Sequence, residues 1–416
     1  MEQLLNIGSN GACKDKLEND SKKSKNVKYN KVGRTFDFSK FPRRRIALLF
    51  LYLGWDYDGL VTQDHTSNTI EQEILDTMIR TKLIESKEAA KWSRCGRTDK
   101  GVSGFRQVGS VTVRSTDVTG EGVFWPEGSA EEMSRIKSTN ELRYDNILNN
   151  ELPDTIRVIA WAPAAVDFNA RFDCISRSYV YLFPRAQLNI ANMQHALNAM
   201  IGLHDFRNFC RIDMNKSRID TSYVREIFEA NITPLDDQSL SSPYQMFQLK
   251  VRGSGFLWHQ IRCIVSVVYD IGKGAEDVTL VPKLLDISSC PAKPQYTMAK
   301  DLPLCFFDAS YANNSFDWKS HINGDVLQRL FTSLETKWCE LETKAALVKT
   351  MMNELKGYGA SDDHFEGIHT HITGIRSVKS KAHIPILKRP TCDSLETKIS
   401  KFAKKRKLSE NDICAE

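Results

Sequence analysis

From about residue 45 the chain alternates apolar runs with polar interruptions. RRIALLFLYLGWDYDGL opens with an apolar stretch ending at Gly54, which predicts a hydrophobic strand. TIEQEILDTMIRTKLIES follows with Ile70, Ile74, Leu75, Met78 and Ile79 at helical spacing, and Thr69 with Gln72 three positions on makes a capping box. A short strand VGSVTV (108–113), a polar loop over 114–140, a helix at ELRYDNILNN and a strand at TIRVIAWAPA complete a first group. The second group repeats the rhythm. It comprises strand SRSYVYLFPR (176–185), helix NMQHALNAMIGLHDF, a hairpin-like pair VREIFEANI (224–232) and YQMFQLKVRG (244–253), buried helix FLWHQIRCIVSVVYDIG and strand LCFFDASY (304–311). Two such groups predict an α+β fold of two related halves packed edge to edge around an antiparallel sheet. Beyond 311 the segment 325–357 reads as a helix whose apolar stripe packs on the body, and much of 1–42 and 357–416 is expected to be mobile.

Length supports this division, since 416 residues suit two packed subdomains with tails. The expected parts are a basic tail 1–43, a first half 44–165, a second half 166–312, a helical extension 313–357 and a basic tail 358–416. No apolar run approaches the roughly 20 residues of a membrane helix. The first residues, MEQLLNIGSNGACKDKLEND, resemble neither a secretory signal nor a transit peptide, so nucleus and cytoplasm are the expected compartments. Ten scattered cysteines lack any zinc-finger spacing and read as reduced thiols. His369 and His371 have no ligand-spaced partner, so no metal is expected.

Charge changes the picture more than composition does. The net +5 conceals an asymmetry: residues 1–45 carry twelve Lys and Arg against five Asp and Glu, and residues 374–408 carry eleven against two. Basic ends of this kind seek polyanions, and KFAKKRKL (401–408) also reads as an import signal.

Candidate chemistry centres on SRCGRTDKGV (93–102). Extended backbone would point Arg97 and Asp99 one way and Thr98 the other, with Gly96 and Gly101 allowing a tight turn and close approach of a ligand. A carboxylate among guanidinium groups stays ionised, which suits a nucleophile meeting a phosphate-bearing substrate. The same residues also fit a structural Arg–Asp pair that merely closes a loop.

The string G-R-T-D-x-G-V resembles the central motif of the tRNA pseudouridine synthase A family. FNARFDCISRSYVYLF (168–183) resembles that family's F-x-A-R-F and R-x-Y-x-Y segments, with Tyr179 at the tyrosine position and Arg177, Tyr179 and Tyr181 on one strand face. GFLWHQIRCIV (255–265) matches its F-x-x-H-x-x-R pattern through Phe256, His259 and Arg262. Near 304 the match is loose: Leu304 would be the apolar residue against the target base, with Pro303 where a glycine is expected. GLHDFRNFCR (202–211) and KRPTCDSLETKI (388–399) resemble the eukaryotic branch, the tRNA pseudouridine(38/39) synthases.

The resemblance implies a pseudouridine synthase fold of two ferredoxin-like halves around a continuous sheet, and a cofactor-free isomerisation of uridine in the anticodon stem-loop. It makes Asp99 the nucleophile or base, Arg262 its ion-pair partner and Tyr179 the residue stacked on the base. Arg97 would fill the place of the extruded nucleotide, while Lys100, Arg94, Arg106, Arg171 and the tails read the RNA backbone and His259 lies at the RNA-binding site. The implied partner is tRNA, with no membrane and no small-molecule cofactor, and family precedent includes both homodimers and monomers. Two rivals are a noncatalytic tRNA-binding protein, which has no need of Asp99, Tyr179 and Arg262 together, and a hydrolase using aspartate, which requires a base beside it.

Overall fold

The computed structural model describes residues 36–127, 139–212, 222–236, 242–312, 316, 318–361, 364–375 and 383–406. The described residues from Phe38 onward cluster as one compact unit. Ten strands form one sheet among the described residues: β1 (Arg43–Tyr52), β2 (Ser93–Arg94), β3 (Ser103–Arg114), β4 (Val123–Phe124), β5 (Ile156–Pro163), β6 (Cys174–Pro184), β7 (Gly202–Asp205), β8 (Val224–Pro234), β9 (Met246–Gly253) and β10 (Leu304–Tyr311). Their order is β4-β1-β3-β10-β6-β9-β8-β7, with β5 on β1 and β2 on β3.

The apolar run of β1 serves two cores at once. Ile46, Leu48, Phe50 and Tyr52 face α1 (Ile70–Arg80) and α2 (Tyr144–Glu151), whereas Ala47, Leu49 and Leu51 join the core that continues into the second half. Side chains alternate across a strand, so both faces must be covered to bury such a run. Each fully buried Leu, Ile or Phe contributes about 1.5–3 kcal/mol. At the start of α1, Thr69 Oγ1 accepts from the Gln72 amide at 3.3 Å, but the Gln72 side chain turns to Asp76 Oδ2 at 2.6 Å. The capping box is therefore half formed. Behind the second half lie α3 (Ile190–Asn198) and α4 (Gln260–Gly272), packed through Met193, Ala196 and Leu197 against Ile264, Val267, Val268 and Ile271.

Several expectations change. The sheet is mostly antiparallel, yet β10 meets β3 in parallel through Cys305–Ser103 and Phe306–Gly104. This junction joins the two groups of strands. The helix expected over 192–206 stops at Asn198, because Gly202 takes φ +104° and the following Leu203–Asp205 pair with β8. Within the loop expected over 114–140, Val123 and Phe124 pair with Arg44 and Arg43, and 128–138 lie outside the described residues. Arg44 and Arg45, counted above with the basic end, are fixed by β1: Arg44 reaches Glu141 at 2.9 Å, and Arg45 donates to Ser110 Oγ and the Phe168 carbonyl at 2.7 and 2.8 Å. Burial lowers the Arg45 guanidinium to about 10.

The second half also holds α5 (Leu280–Leu285) before β10, and the helical extension holds α6 (Trp318–His321) and α7 (Gly324–Gly357). Only Val326 and Leu330 of α7 are buried, so its stripe packs on the body at its beginning and not along its length. The region expected as a mobile C-terminal tail also contains α8 (Glu366–Thr373) and α9 (Leu395–Arg406). Ile372 and Ile386 are fully buried, Ile372 O accepts from Lys300 N at 2.8 Å, and Pro390 O accepts from Gln295 N at 2.9 Å. Apolar anchors this widely spaced leave no periodic signature. The N-terminal tail up to residue 35, and residues 407–416, lie outside the described residues.

Candidate active site

The first wall of the site is the turn between β2 and β3. Thr98 points inward and its Oγ1 bonds the Tyr52 hydroxyl at 2.8 Å, which leaves Arg97 exposed and Asp99 half-buried. The turn is tied to the chain after β1, with Leu60 N donating to Thr98 O and Gly101 N to Tyr57 O, both at 3.2 Å. Gly101 has φ +78°, and a Cβ there would stand 3.2 Å from the Asp301 carboxyl carbon. Only glycine makes this turn without strain.

The second wall is the β6–β10 ladder. Register pairs Tyr179 with Phe306 and Tyr181 with Leu304. Tyr179 is packed edge-on by Phe306 and Phe256, with ring centroids 5.3 and 5.2 Å away. A Cβ on Gly96 would lie 2.8 Å from the Phe306 ring and 3.6 Å from the Tyr179 hydroxyl, so the turn passes directly over the phenol. Leu304 is buried beside Tyr181, and Phe306 is the residue that meets Tyr179.

The third wall is the start of α4. His259 caps it in the left-handed region, φ +64°, and Arg262 sits in its first turn. Their side chains converge on one atom: Asp99 Oδ2 lies 3.3 Å from His259 Nε2 and 3.8 Å from an Arg262 nitrogen. Arg262 is held by its Nε donating to Ala299 O at 2.7 Å, and its other nitrogen lies 3.9 Å from Asp301. Asp99 keeps 32% of its side chain exposed against 12% for Arg262. A fixed guanidinium therefore faces a carboxylate that water or a ligand can still reach.

Titration behaviour follows burial. Burial pushes the Tyr179 phenol above its usual range, and the charge of Asp99 adds to the effect. The phenol stays neutral and able to donate a proton. Burial lowers the His259 imidazole, against the pull of Asp99. The Tyr181 hydroxyl is buried without a hydrogen-bond partner, close enough to Arg262 to feel its charge.

The other sequence-derived candidates are dispersed. Arg94 pairs with buried Glu71. Arg106 pairs with Asp308, its Nε at 2.9 Å. Lys100 is exposed and bonds Asp58 at 2.8 Å, and Arg171 is exposed over the Phe172 ring at 5.3 Å. Arg97 lies near Glu71, whose carboxyl is raised by burial against the opposing charges of Arg94 and Arg97. The sequence reading missed Asp301 and Phe306, which carry no distinctive spacing. Arg177, read there only as sharing a face, donates to Ser254 O at 2.8 Å and Arg171 O at 2.7 Å and so clamps the loop before β6. Among the described residues no group of three or more His, Cys, Asp or Glu could hold a metal, and the His369 ring bonds the Tyr269 hydroxyl at 2.6 Å.

The family model described as tRNA pseudouridine synthase matches residues 196–312. A probable tRNA pseudouridine synthase of Caenorhabditis elegans is 42% identical over 97% of this chain and 98% of its own. The tRNA pseudouridine(38/39) synthases of Saccharomyces cerevisiae and Homo sapiens are 35% and 33% identical, over 91% and 93% of this chain and 82% and 84% of theirs.

Proposed function

The chain belongs to the tRNA pseudouridine synthase family, in its tRNA pseudouridine(38/39) synthase branch, and we propose that this isomerase converts uridine to pseudouridine at positions 38 and 39 of tRNA. The observation that carries the site assignment is the convergence of His259 and Arg262 on one oxygen of Asp99, beside the neutral phenol of Tyr179. In this reading the strand groups on either side of the β3–β10 junction are two related ferredoxin-like halves, and the groove receives a nucleotide extruded from the stem at a cost of a few kcal/mol.

The reaction balances within the substrate. The C1′–N1 bond breaks, the uracil turns in place, the C1′–C5 bond forms, the C5 hydrogen leaves as a proton and N1 gains one. Asp99 acts as an anion, as covalent partner to the base or the sugar or as base for a sugar proton. Arg262 keeps that anion charged in a site with little water, where an ion pair is stronger than in bulk solvent. Tyr179 offers its ring edge-braced for stacking and its hydroxyl for a late proton transfer. Arg97, at the exposed lip of the turn, fills the vacated stem position, and Lys100 and Arg171 read phosphates. Arg94 and Arg106 serve less directly, since each already has a carboxylate partner. The basic ends extend the polyanion contact and fit a nuclear as well as cytoplasmic enzyme.

The test is release of tritium from C5-labelled uridine in tRNA, which scores C5 substitution and not binding. The full chain should release label and Asp99→Asn should not, while both retain the tRNA. Label release by Asp99→Asn at the parent rate removes Asp99 from the chemistry.

A further inference from the structure

The turn that carries Asp99 is flanked at its entry by two thiols. Cys95 stands just before Gly96, its amide donating to Val108 O at 2.8 Å. Cys174 opens β6, the strand of Tyr179, in register with Tyr311 of β10. The two lie 79 positions apart in sequence, yet Cys95 Sγ donates to Cys174 Sγ at 3.2 Å, the sole sulfur-to-sulfur hydrogen bond among the described residues. Arg177 spans the pair: its Nε and one Nη donate to Cys95 O at 3.3 and 3.2 Å, and its other Nη donates to Cys174 O at 3.3 Å. Neither sulfur has a part in the chemistry proposed above.

We propose that Cys95 and Cys174 are a dithiol that hydrogen peroxide converts to a disulfide, and that closing this disulfide reversibly stops turnover at the adjoining turn. An S–S bond of about 2.05 Å requires the sulfurs to approach by roughly 1 Å. The two thiols are not equivalent. The hydrogen bond from Cys95 lowers the Cys174 thiol, with help from the Arg177 charge, whereas burial raises Cys95. Cys174 is also the more open, 9% exposed against 2%. The thiolate is the nucleophile, so Cys174 reacts first. Its sulfur attacks one peroxide oxygen, the O–O bond breaks, and the hydroxide released takes the Cys174 proton as water, leaving a sulfenic acid. The Cys95 sulfur then attacks the Cys174 sulfur, the S–O bond breaks, and the hydroxyl leaves with the Cys95 proton as a second water. Two electrons pass from the sulfurs to the peroxide, and added thiols reverse the step.

The movement falls on the turn. Cys174 is held in the sheet by β10, whereas Cys95 runs directly into Gly96 and the residues up to Asp99. There is no slack beneath Gly96, where a Cβ would stand 2.8 Å from the Phe306 ring. Drawing Cys95 toward β6 therefore displaces the backbone over 96–99 and strains its two ties, Leu60 N to Thr98 O and Gly101 N to Tyr57 O, both already 3.2 Å long. Misplacing a reacting group by about 1 Å is enough to cost about 10²-fold in rate. Disulfides in reducing compartments are transient and redox-sensing, which agrees with both thiols being free in the resting chain.

The full chain is treated with graded hydrogen peroxide and read by peptide mass after alkylation, by tritium release from C5-labelled uridine in tRNA and by amide exchange. Peptides joined through Cys95 and Cys174 should appear in step with a loss of turnover of about tenfold or more, with tRNA still bound. The Leu60 and Gly101 amides should exchange faster, and dithiothreitol should reverse all three changes. Cys174→Ala should release label at the parent rate and keep doing so under peroxide, while Cys95→Ala should hold Cys174 as a sulfenic acid that dimedone traps. The effect on turnover rests on the function proposed above, whereas the disulfide and the exchange do not. A reduced chain that releases no label refutes that function, and the disulfide is then judged on mass and exchange. Peroxide that leaves Cys95 and Cys174 as thiols, a disulfide that alters neither turnover nor exchange, or a loss of turnover that Cys174→Ala shares overturns the proposal.

Discussion

Glu71 with Arg94 and Asp99 with Arg262 are two carboxylate–guanidinium pairs built around the same turn, and they differ in what each leaves over. The Glu71 side chain is 2% exposed, with Oε1 held by Arg94 and Oε2 accepting from the Thr62 amide at 3.2 Å. Asp99 is 32% exposed, its Oδ2 is shared loosely at 3.3 and 3.8 Å, and its Oδ1 is unclaimed among the described residues. The Glu71 carboxylate is saturated and dry, although Arg94 Nε is buried without a partner, whereas the Asp99 carboxylate is unfinished and open to solvent. Residue type does not separate a structural ion pair from a reactive one, whereas unused acceptor capacity does. The two arginines of SRCGRTDKGV are thus not both partners of Asp99: Arg94 belongs to Glu71, and the cation facing Asp99 comes from far along the chain.

The sharpest break of this comparison is to neutralise the open carboxylate. Asp99→Asn should lower tritium release by about 10³-fold or more while the melting free energy moves by no more than about 0.5 kcal/mol. A large stability loss would make Asp99 a second Glu71. The converse is Arg94→Met, which strands a buried carboxylate and should cost about 3 kcal/mol in denaturant unfolding. Burial already outweighs Arg94 and raises the Glu71 carboxyl, so adding Glu71→Gln to Arg94→Met should restore most of that loss. Turnover per folded molecule should change little in either variant. Third in size is Arg262→Lys, which keeps the charge but loses the fork that holds Ala299 O and faces Asp99 and Asp301. Turnover should fall about tenfold, about 1.4 kcal/mol, without loss of fold.

What sequence made legible follows the same division. Elements with a sustained apolar run or period were readable: β1, α1, α4 and β10 appear where the apolar residues put them, β1 as a run that fills two cores and α1 as a helix with one buried face. Asp99, Tyr179, His259 and Arg262 were readable through their motifs, and the structure brings all four together. Contacts made by single residues across the sheet were not. Phe306 reaches Tyr179 only because β10 pairs with β6 in a particular register, and Asp301 reaches Arg262 from a loop without pattern. His259, expected at the RNA-binding site, stands 3.3 Å from the Asp99 carboxylate, a contact its motif did not announce. Ile372 and Ile386 anchor the C-terminal region one side chain at a time, which composition reads as a basic tail.

The smallest effect is the pH response of His259, and its sign discriminates between the two pairs. Burial depresses the folded imidazole below its ordinary value of 6.5, against the attraction of Asp99. A depressed group contributes stability that is present above its unfolded pKa and lost as pH falls through the folded one. Cooling of the melting point should therefore appear only below about pH 6.5, with a loss on the order of 1 kcal/mol or less. Glu71 runs the other way, since its raised carboxyl contributes stability at low pH that is lost as pH rises through its folded value. His259→Gln should remove the acid limb and leave the Glu71 limb unchanged. Thermal melts of the parent and this variant across the range decide it: an acid limb that survives the substitution assigns that proton uptake to a group other than the one facing Asp99.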